Sequence, residues 1–311
     1  MFSFKILNKE SRTVGIIKNK EKKTVELLYF TEKTRDLKGI DYDFDSVFKK
    51  YGKKTSKGYF TLENDYTFEM APHNKVTEKF PRFVNYYLAK SNSGKSYQIA
   101  DSIRKYLKAF PVNQIYYASA NPLSNDKNYS DLIEKINEID LMQLNSVIDF
   151  KELKDCLVVF DDCDSMFSTS LSDLDERLTE ENIKELSITQ KNKALKMMKN
   201  KSEDVQYFLK ESIKSLLNCG RKNNISIINV GHKYNDGAFQ MVMISESTGV
   251  ILFPYTTTKS IFSTFLTNKL SFDKDEVKEI LSTLEFYQYD FFFVNNSGSR
   301  FIMSNDTIKI F

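Results

Sequence analysis

Val84-Asn85-Tyr86-Tyr87-Leu88, followed by Ala89-Lys90-Ser91-Asn92-Ser93-Gly94-Lys95-Ser96, decides how this chain is read. Five residues suited to a buried strand run into a small polar loop. The loop closes on Gly94-Lys95-Ser96, and the helix-prone run Tyr97-Gln98-Ile99-Ala100 follows. Strand, loop and helix in that order make a Gly-Lys-Ser tripeptide a phosphate-binding loop. Successive backbone N–H groups and a helix N-terminus then converge on one point. In such a loop Lys95 reaches the β- and γ-phosphates of a nucleotide, and the Ser96 hydroxyl ligates Mg²⁺. The candidate nucleotide-binding residues are Ala89, Lys90, Ser91, Asn92, Ser93, Gly94, Lys95, Ser96 and Tyr97. One departure stands out: Ala89 occupies the position of the first glycine in G-x-x-x-x-G-K-S. A methyl group makes positive φ costly, so the backbone at residue 89 tests this reading.

A second motif lies further along, Cys156-Leu157-Val158-Val159-Phe160-Asp161-Asp162. An apolar strand ending in two carboxylates is what a phosphate loop needs opposite it. Asp161 is expected to hold Mg²⁺, mostly through water. Asp162 is expected to polarise the attacking water as general base. The third motif runs from Leu217 through Gly220-Arg221-Lys222-Asn223-Asn224 to Ile225-Ser226-Ile227-Ile228-Asn229-Val230-Gly231-His232. A helix ends at Gly220, basic residues follow, and a strand delivers polar groups to its C-terminal end, where ligands bind in α/β sheets. His232 there either contacts the γ-phosphate or attacking water, or caps a loop.

The rest of the chain is consistent with this frame. At 311 residues and 41% apolar content it is long enough for one large core or two smaller ones. No apolar run approaches ~18 residues, so no transmembrane helix is expected. Met1-Phe2-Ser3-Phe4-Lys5 has no apolar leader segment. Cys156, Cys163 and Cys219 have no metal-site spacing, which favours a reducing compartment, and with only His73 and His232 a multi-histidine metal site is excluded. Net charge is +3, with the excess in residues 1–80, where 17 Lys/Arg face 12 Asp/Glu. Lysine clusters such as Lys18–Lys23 and Lys49–Lys57 could track phosphates, but read more simply as solvated loops.

Residues 1–80 read as a small β-rich N-terminal domain or a β extension of the main sheet. Its strands are expected at Phe2–Leu7, Thr13–Lys18, Thr24–Phe30, Gly58–Glu63 and Tyr66–Met70. Residues 81–311 read as the P-loop domain, with a polar helical insertion at about 164–202. Its strands are expected at Val84–Leu88, Gln114–Ser119, Ser146–Phe150, Cys156–Phe160, Ile225–Val230, Gly249–Phe253, Phe291–Asn295, Arg300–Met303 and Thr307–Phe311. Helices are expected at Lys95–Ala109, Ser130–Asp140, Ser170–Leu178, Glu180–Glu185, Lys201–Asn218 and Lys274–Thr283. Tyr116-Tyr117 and Phe291-Phe292-Phe293 read as buried strand. Alternating strands and helices with continuous apolar strands argue for a mainly parallel sheet covered on both faces.

Phosphate loop, Phe-Asp-Asp strand, then Gly-Arg-Lys-Asn-Asn-Ile-Ser-Ile-Ile: in this order the motifs resemble the FtsK–HerA superfamily. Within it they are most similar to the vaccinia-type genome-packaging ATPases of large DNA viruses. The resemblance covers roughly residues 82–304. It implies an α/β, RecA-like P-loop core that binds ATP and Mg²⁺ and hydrolyses ATP. It further implies a pentameric or hexameric ring of identical subunits that moves double-stranded DNA into a capsid. Partners would be a capsid portal or inner-membrane proteins, and the setting the viral factory in the host cytoplasm or the virion. By position, Lys95 and Ser96 bind phosphate and metal, Asp161 the metal, and Asp162 activates water, although Glu is commoner there in the family. His232 stands where the family often has Gln as γ-phosphate sensor. Arg221 is the preferred arginine finger, donated to a neighbouring subunit's nucleotide, with Arg300 the competitor. The rival readings are a non-hydrolysing nucleotide-binding scaffold, a P-loop kinase, and a nucleic-acid-dependent ATPase of another process.

Overall fold

The computed structural model describes residues 1–7, 11–22, 25–31, 42–70, 82–161, 188–234, 237–283, 291–296 and 300–311. At its centre are five parallel strands: β7 (Val84–Leu88), β8 (Ile115–Ser119), β10 (Leu157–Phe160), β11 (Ser226–Gly231) and β12 (Gly249–Leu252). Their spatial order is β12-β7-β11-β10-β8, and β9 (Ile136–Asp140) adds in parallel beyond β8. One strand, β11, therefore separates the phosphate-loop strand from the acidic strand. That is the strand order of a RecA-like P-loop NTPase, and the fold is an α/β sandwich with a mostly parallel sheet.

The central strands are buried on both sides, and all five residues of β7 are buried. This is why their sequences are continuous apolar runs rather than alternating ones. Alternate side chains feed two cores. Tyr87, Val159, Ile228 and Ile251 point to one face, where they meet Ile99, Ile103 and Tyr106 of α2 (Lys95–Ala109). Tyr86, Val158, Ile227 and Val250 point to the other. There they meet α3 (Ile188–Gly220), α4 (Gly237–Glu246), α5 (Lys259–Leu270) and α6 (Lys274–Thr283). Leu209, Ile213 and Leu216 of α3, spaced by three and four residues, are each fully buried there.

Beyond β12 the sheet turns antiparallel through β13 (Phe292–Asn295), β14 (Phe301–Met303) and β15 (Thr307–Ile310). It then takes in two N-terminal strands, β5 (Phe60–Leu62) and β4 (Gly52–Lys54), so that among the described residues eleven strands run in one sheet. Four other strands form a separate antiparallel sheet, β1 (Phe2–Ser3), β3 (Val25–Phe30), β2 (Arg12–Asn19) and β6 (Tyr66–Met70). It packs on the α2 side through aromatic rings: Phe2 and Phe30 lie 5.1 and 4.8 Å from Phe301. Lys105 of α2 pairs with Glu69 of β6 at 2.7 Å.

Several expected elements differ. The helix expected at Ser130–Asp140 is a short 3-10 turn at Ile133–Lys135 followed by β9. No strand forms at Ser146–Phe150; instead Ile148 N–H donates to Ser212 Oγ of α3 at 2.8 Å. The strand expected at Phe2–Leu7 is two residues long, and the helix expected at Lys201–Asn218 begins earlier, at Ile188. Helices α1 (Phe44–Phe48), α4 and α5 were not anticipated. The helices expected at Ser170–Leu178 and Glu180–Glu185 lie outside the described residues.

Candidate nucleotide site

The parallel strands end together. Leu88 is level with Gly231 and Leu252, and Phe160 is level with Ala118 and Asn229. The loops leaving these ends surround a cavity of about 850 Å³, within the ~300–1,000 Å³ of ligand pockets. Lys90 to Gln98 line one wall, and Asp161 and His232 another.

Ala89 does not carry the strain that its side chain raised as a question. It continues the strand, donating its N–H to Gly231 O at 3.1 Å. The left-handed backbone falls instead on Asn92 (φ 63°) and Gly94 (φ 88°). Asn tolerates that region better than most residues, and Gly without penalty. Gly94 then opens α2 with no side-chain cap, and the first turn holds no acidic residue. The helix N-terminus thus keeps its uncapped N–H groups and partial positive charge for an anion. Ser93 Oγ is buried in the loop and has no hydrogen-bond partner among the described residues. A polyphosphate oxygen would satisfy it, which is the fit expected of a phosphate-binding loop.

Lys95 is 6% exposed, and its ammonium donates to His232 Nε2 at 2.6 Å. Motifs 137 residues apart in sequence therefore meet in one hydrogen bond. Asp161 follows β10, anchored by its N–H to Ala118 O at 2.9 Å. Its Oδ2 accepts from the Tyr117 hydroxyl at 2.6 Å, and the Tyr117 and Tyr129 hydroxyls lie 3.1 Å apart. Burial, then the Asp161 charge, pushes the Tyr117 phenol well above its usual range; Tyr129 moves the same way for the same reasons. Tyr117 therefore stays protonated and keeps donating. Read from sequence as core alone, Tyr117 is also the residue that orients Asp161. Tyr117 and Asp161 fall on the same face of adjacent strands, a pairing that only the strand order shows. Ser96 lines the same cavity as Asp161, and this hydroxyl and carboxylate are the oxygen ligands that would suit a Mg²⁺ ion. Asp162 lies outside the described residues.

Arg221 is exposed and lies beyond α3, at the N-terminal end of β11. The six residues of β11 put it roughly 20 Å from the phosphate loop of its own chain. Other arginines are committed elsewhere. Arg300 donates to Ser271 O at 2.6 Å and lies 4.9 Å from the Phe272 ring centroid. Arg104 is bidentate to Asp131, and Arg82 Nε donates to Ile225 O at 2.7 Å. Among the arginines whose side chains are described, Arg221 alone has no such partner.

No protein-family model matches this chain. It is 27% identical over 202 residues to "Uncharacterized protein V3" of Sputnik virophage, covering 64% of this chain and 67% of that one. Among solved structures it is similar to the genome packaging NTPase B204 of Sulfolobus turreted icosahedral virus 2 in complex with AMPPCP. That likeness has 14% identity and a TM-score of 0.42, over 73% of this chain and 98% of the other. It is also similar to the pCW3 conjugation coupling protein TcpA, with 12% identity and a TM-score of 0.42 over 97% of this chain and 77% of that one. The chain's strand order and the geometry of its phosphate loop, not these likenesses, carry the fold and the site. Among the described residues no helix is long and apolar enough to cross a membrane.

Proposed function

We propose that this chain is an ATP-hydrolysing subunit of a viral DNA-packaging motor. The observation that carries the reading is the convergence of Lys95, Ser96, Asp161 and His232 on one cavity at the C-terminal edge of the sheet. In this reading the Gly94–Ser96 backbone and Lys95 hold the β- and γ-phosphates. Ser96 and Asp161 would hold Mg²⁺, whose charge would offset that of the phosphates. Asp162 takes a proton from the attacking water. His232, already bonded to Lys95, senses the γ-phosphate as Lys95 turns toward it.

Arg221 serves a neighbour. It is too far from its own nucleotide, it is uncommitted, and a head-to-tail ring would bring it to the next subunit's cavity. Double-stranded DNA is the proposed track through the ring, with a capsid portal or inner-membrane protein as the docking partner.

The test is ATP hydrolysis by purified protein with and without duplex DNA. Stimulation by duplex DNA, and loss of turnover with retained ATP binding in Asp162→Asn, are expected. Binding without hydrolysis under either condition would establish the scaffold reading, and transfer of the γ-phosphate to an acceptor the kinase reading. Mixing Arg221→Ala with Lys95→Ala subunits should restore part of the activity that each lacks alone. No restoration would remove the finger in trans.

A further inference from the structure

The cavity is also lined by residues that the motifs do not include. Phe291 and Asn305 line it together with the phosphate loop. They follow Lys95 by about two hundred residues, yet the sheet brings both to the same edge. β13 runs antiparallel to β12, pairing Phe292 with Leu252, so Phe291 stands at the edge where the parallel strands end. β14 runs back, pairing Met303 with Phe293, so the turn holding Asn305 emerges at that edge too.

Direction follows from strand order. Asp161 and His232 lie on the β11–β10 side of β7, which sets the γ-phosphate end. Phe291 and Asn305 lie on the β12–β13 side, away from that end. The opposite wall is already satisfied: Asp126 Oδ1 accepts from the Asn128 backbone and carboxamide at 2.9 and 2.8 Å.

We propose that this end of the cavity is a purine-base subsite, with Phe291 as the stacking face and Asn305 as the reader of the base edge. The assignment rests on the phosphate-loop reading above and specifies the substrate of that site. Both residues are held in place. Phe291 is 8% exposed and its ring centroid is 5.8 Å from that of Phe253. The Asn305 carbonyl accepts from Phe68 N–H of β6 at 2.6 Å, and the next carbonyl, of Asp306, accepts from Leu62 N–H of β5 at 2.9 Å. The N-terminal strands thus position the turn that meets the base. An aromatic face binds any base, whereas a carboxamide pairs its acceptor and donor with N6 and N7 of adenine, so the subsite favours ATP over GTP.

Calorimetric titration with Mg²⁺ and ATP, GTP or inorganic triphosphate tests this on the full chain. Wild type should bind ATP more tightly than triphosphate. Phe291→Leu, which keeps the apolar volume, should raise the Kd for ATP at least about fivefold and leave that for triphosphate unchanged. Asn305→Ala should bring the ATP and GTP values together. An unchanged ATP affinity in Phe291→Leu, or an equal loss for ATP and triphosphate, overturns the subsite. If wild type does not bind triphosphate, or Lys95→Ala binds it as tightly, the phosphate-loop reading itself fails and the base assignment falls with it.

Discussion

Tyr117 illustrates how much of this site depends on single side chains outside the motifs. Its hydroxyl holds Asp161 Oδ2 at 2.6 Å from a buried position. A hydrogen bond to a charged group contributes about 1.5–3 kcal/mol. Tyr117→Phe keeps the ring and removes the hydroxyl, and with it both this bond and the contact with Tyr129. The Mg²⁺ concentration for half-maximal ATP hydrolysis should then rise about tenfold or more, with the circular dichroism spectrum unchanged. An unaltered Mg²⁺ dependence would reduce Tyr117 to a core residue. The positions of Gly94-Lys95-Ser96 and Asp161 were legible from sequence because their spacing to strand and helix is local. Tyr117 was not, because its role exists only once β8 lies beside β10.

Elements were legible where the pattern was long and regular. β7, α2 and the strands after Gly220 and Thr248 stand within one residue of their expected bounds. Ser130–Asp140 was not, because Leu132, Ile136 and Ile139 satisfy a helical spacing as well as an edge strand. Pairing with β8 decided it: five residues of β9 align with Ile115–Ser119, and Glu138 Oε1 accepts from Leu123 N–H at 2.9 Å. The close approach of β7, β12 and β13 at Gly249 gives an element-scale prediction. A Cβ there would strike the Phe293 ring and come within 3.0 Å of Asn85 Oδ1. Gly249→Ala should therefore lower the unfolding free energy by about 1–3 kcal/mol, read from the denaturant midpoint. A midpoint equal to wild type would mean that these strands are looser than described.

On the scale of the whole molecule, tyrosines buried across both cores link stability to alkaline pH. Burial raises the phenols of Tyr87, Tyr106, Tyr117, Tyr129 and Tyr234, with Tyr106 pushed up to about 12. A raised folded-state value favours the neutral form. The stabilisation is fully present below the unfolded value near pH 10, and is lost as pH rises through the folded values. The thermal midpoint should be flat from about pH 8 to 9.5 and fall above about pH 10. Tyrosinate absorbance should rise together with unfolding. Titration of all tyrosines near pH 10 in a folded chain would contradict this.

The amino-acid sequence by itself determined the strand–loop–helix around Gly94-Lys95-Ser96, the apolar strand that leads to Asp161 and the parallel α/β class. Each is written in short segments whose backbone geometry is local. Only the tertiary structure decided that Lys95 meets His232 and that Tyr117 orients Asp161. It alone also placed Arg221 at the end of β11 away from the Gly94–Ser96 loop and brought Phe291 and Asn305 to line the same cavity. These are consequences of strand order and register, which hydrophobic periodicity does not encode. They are set by which buried faces find one another when the sheet closes.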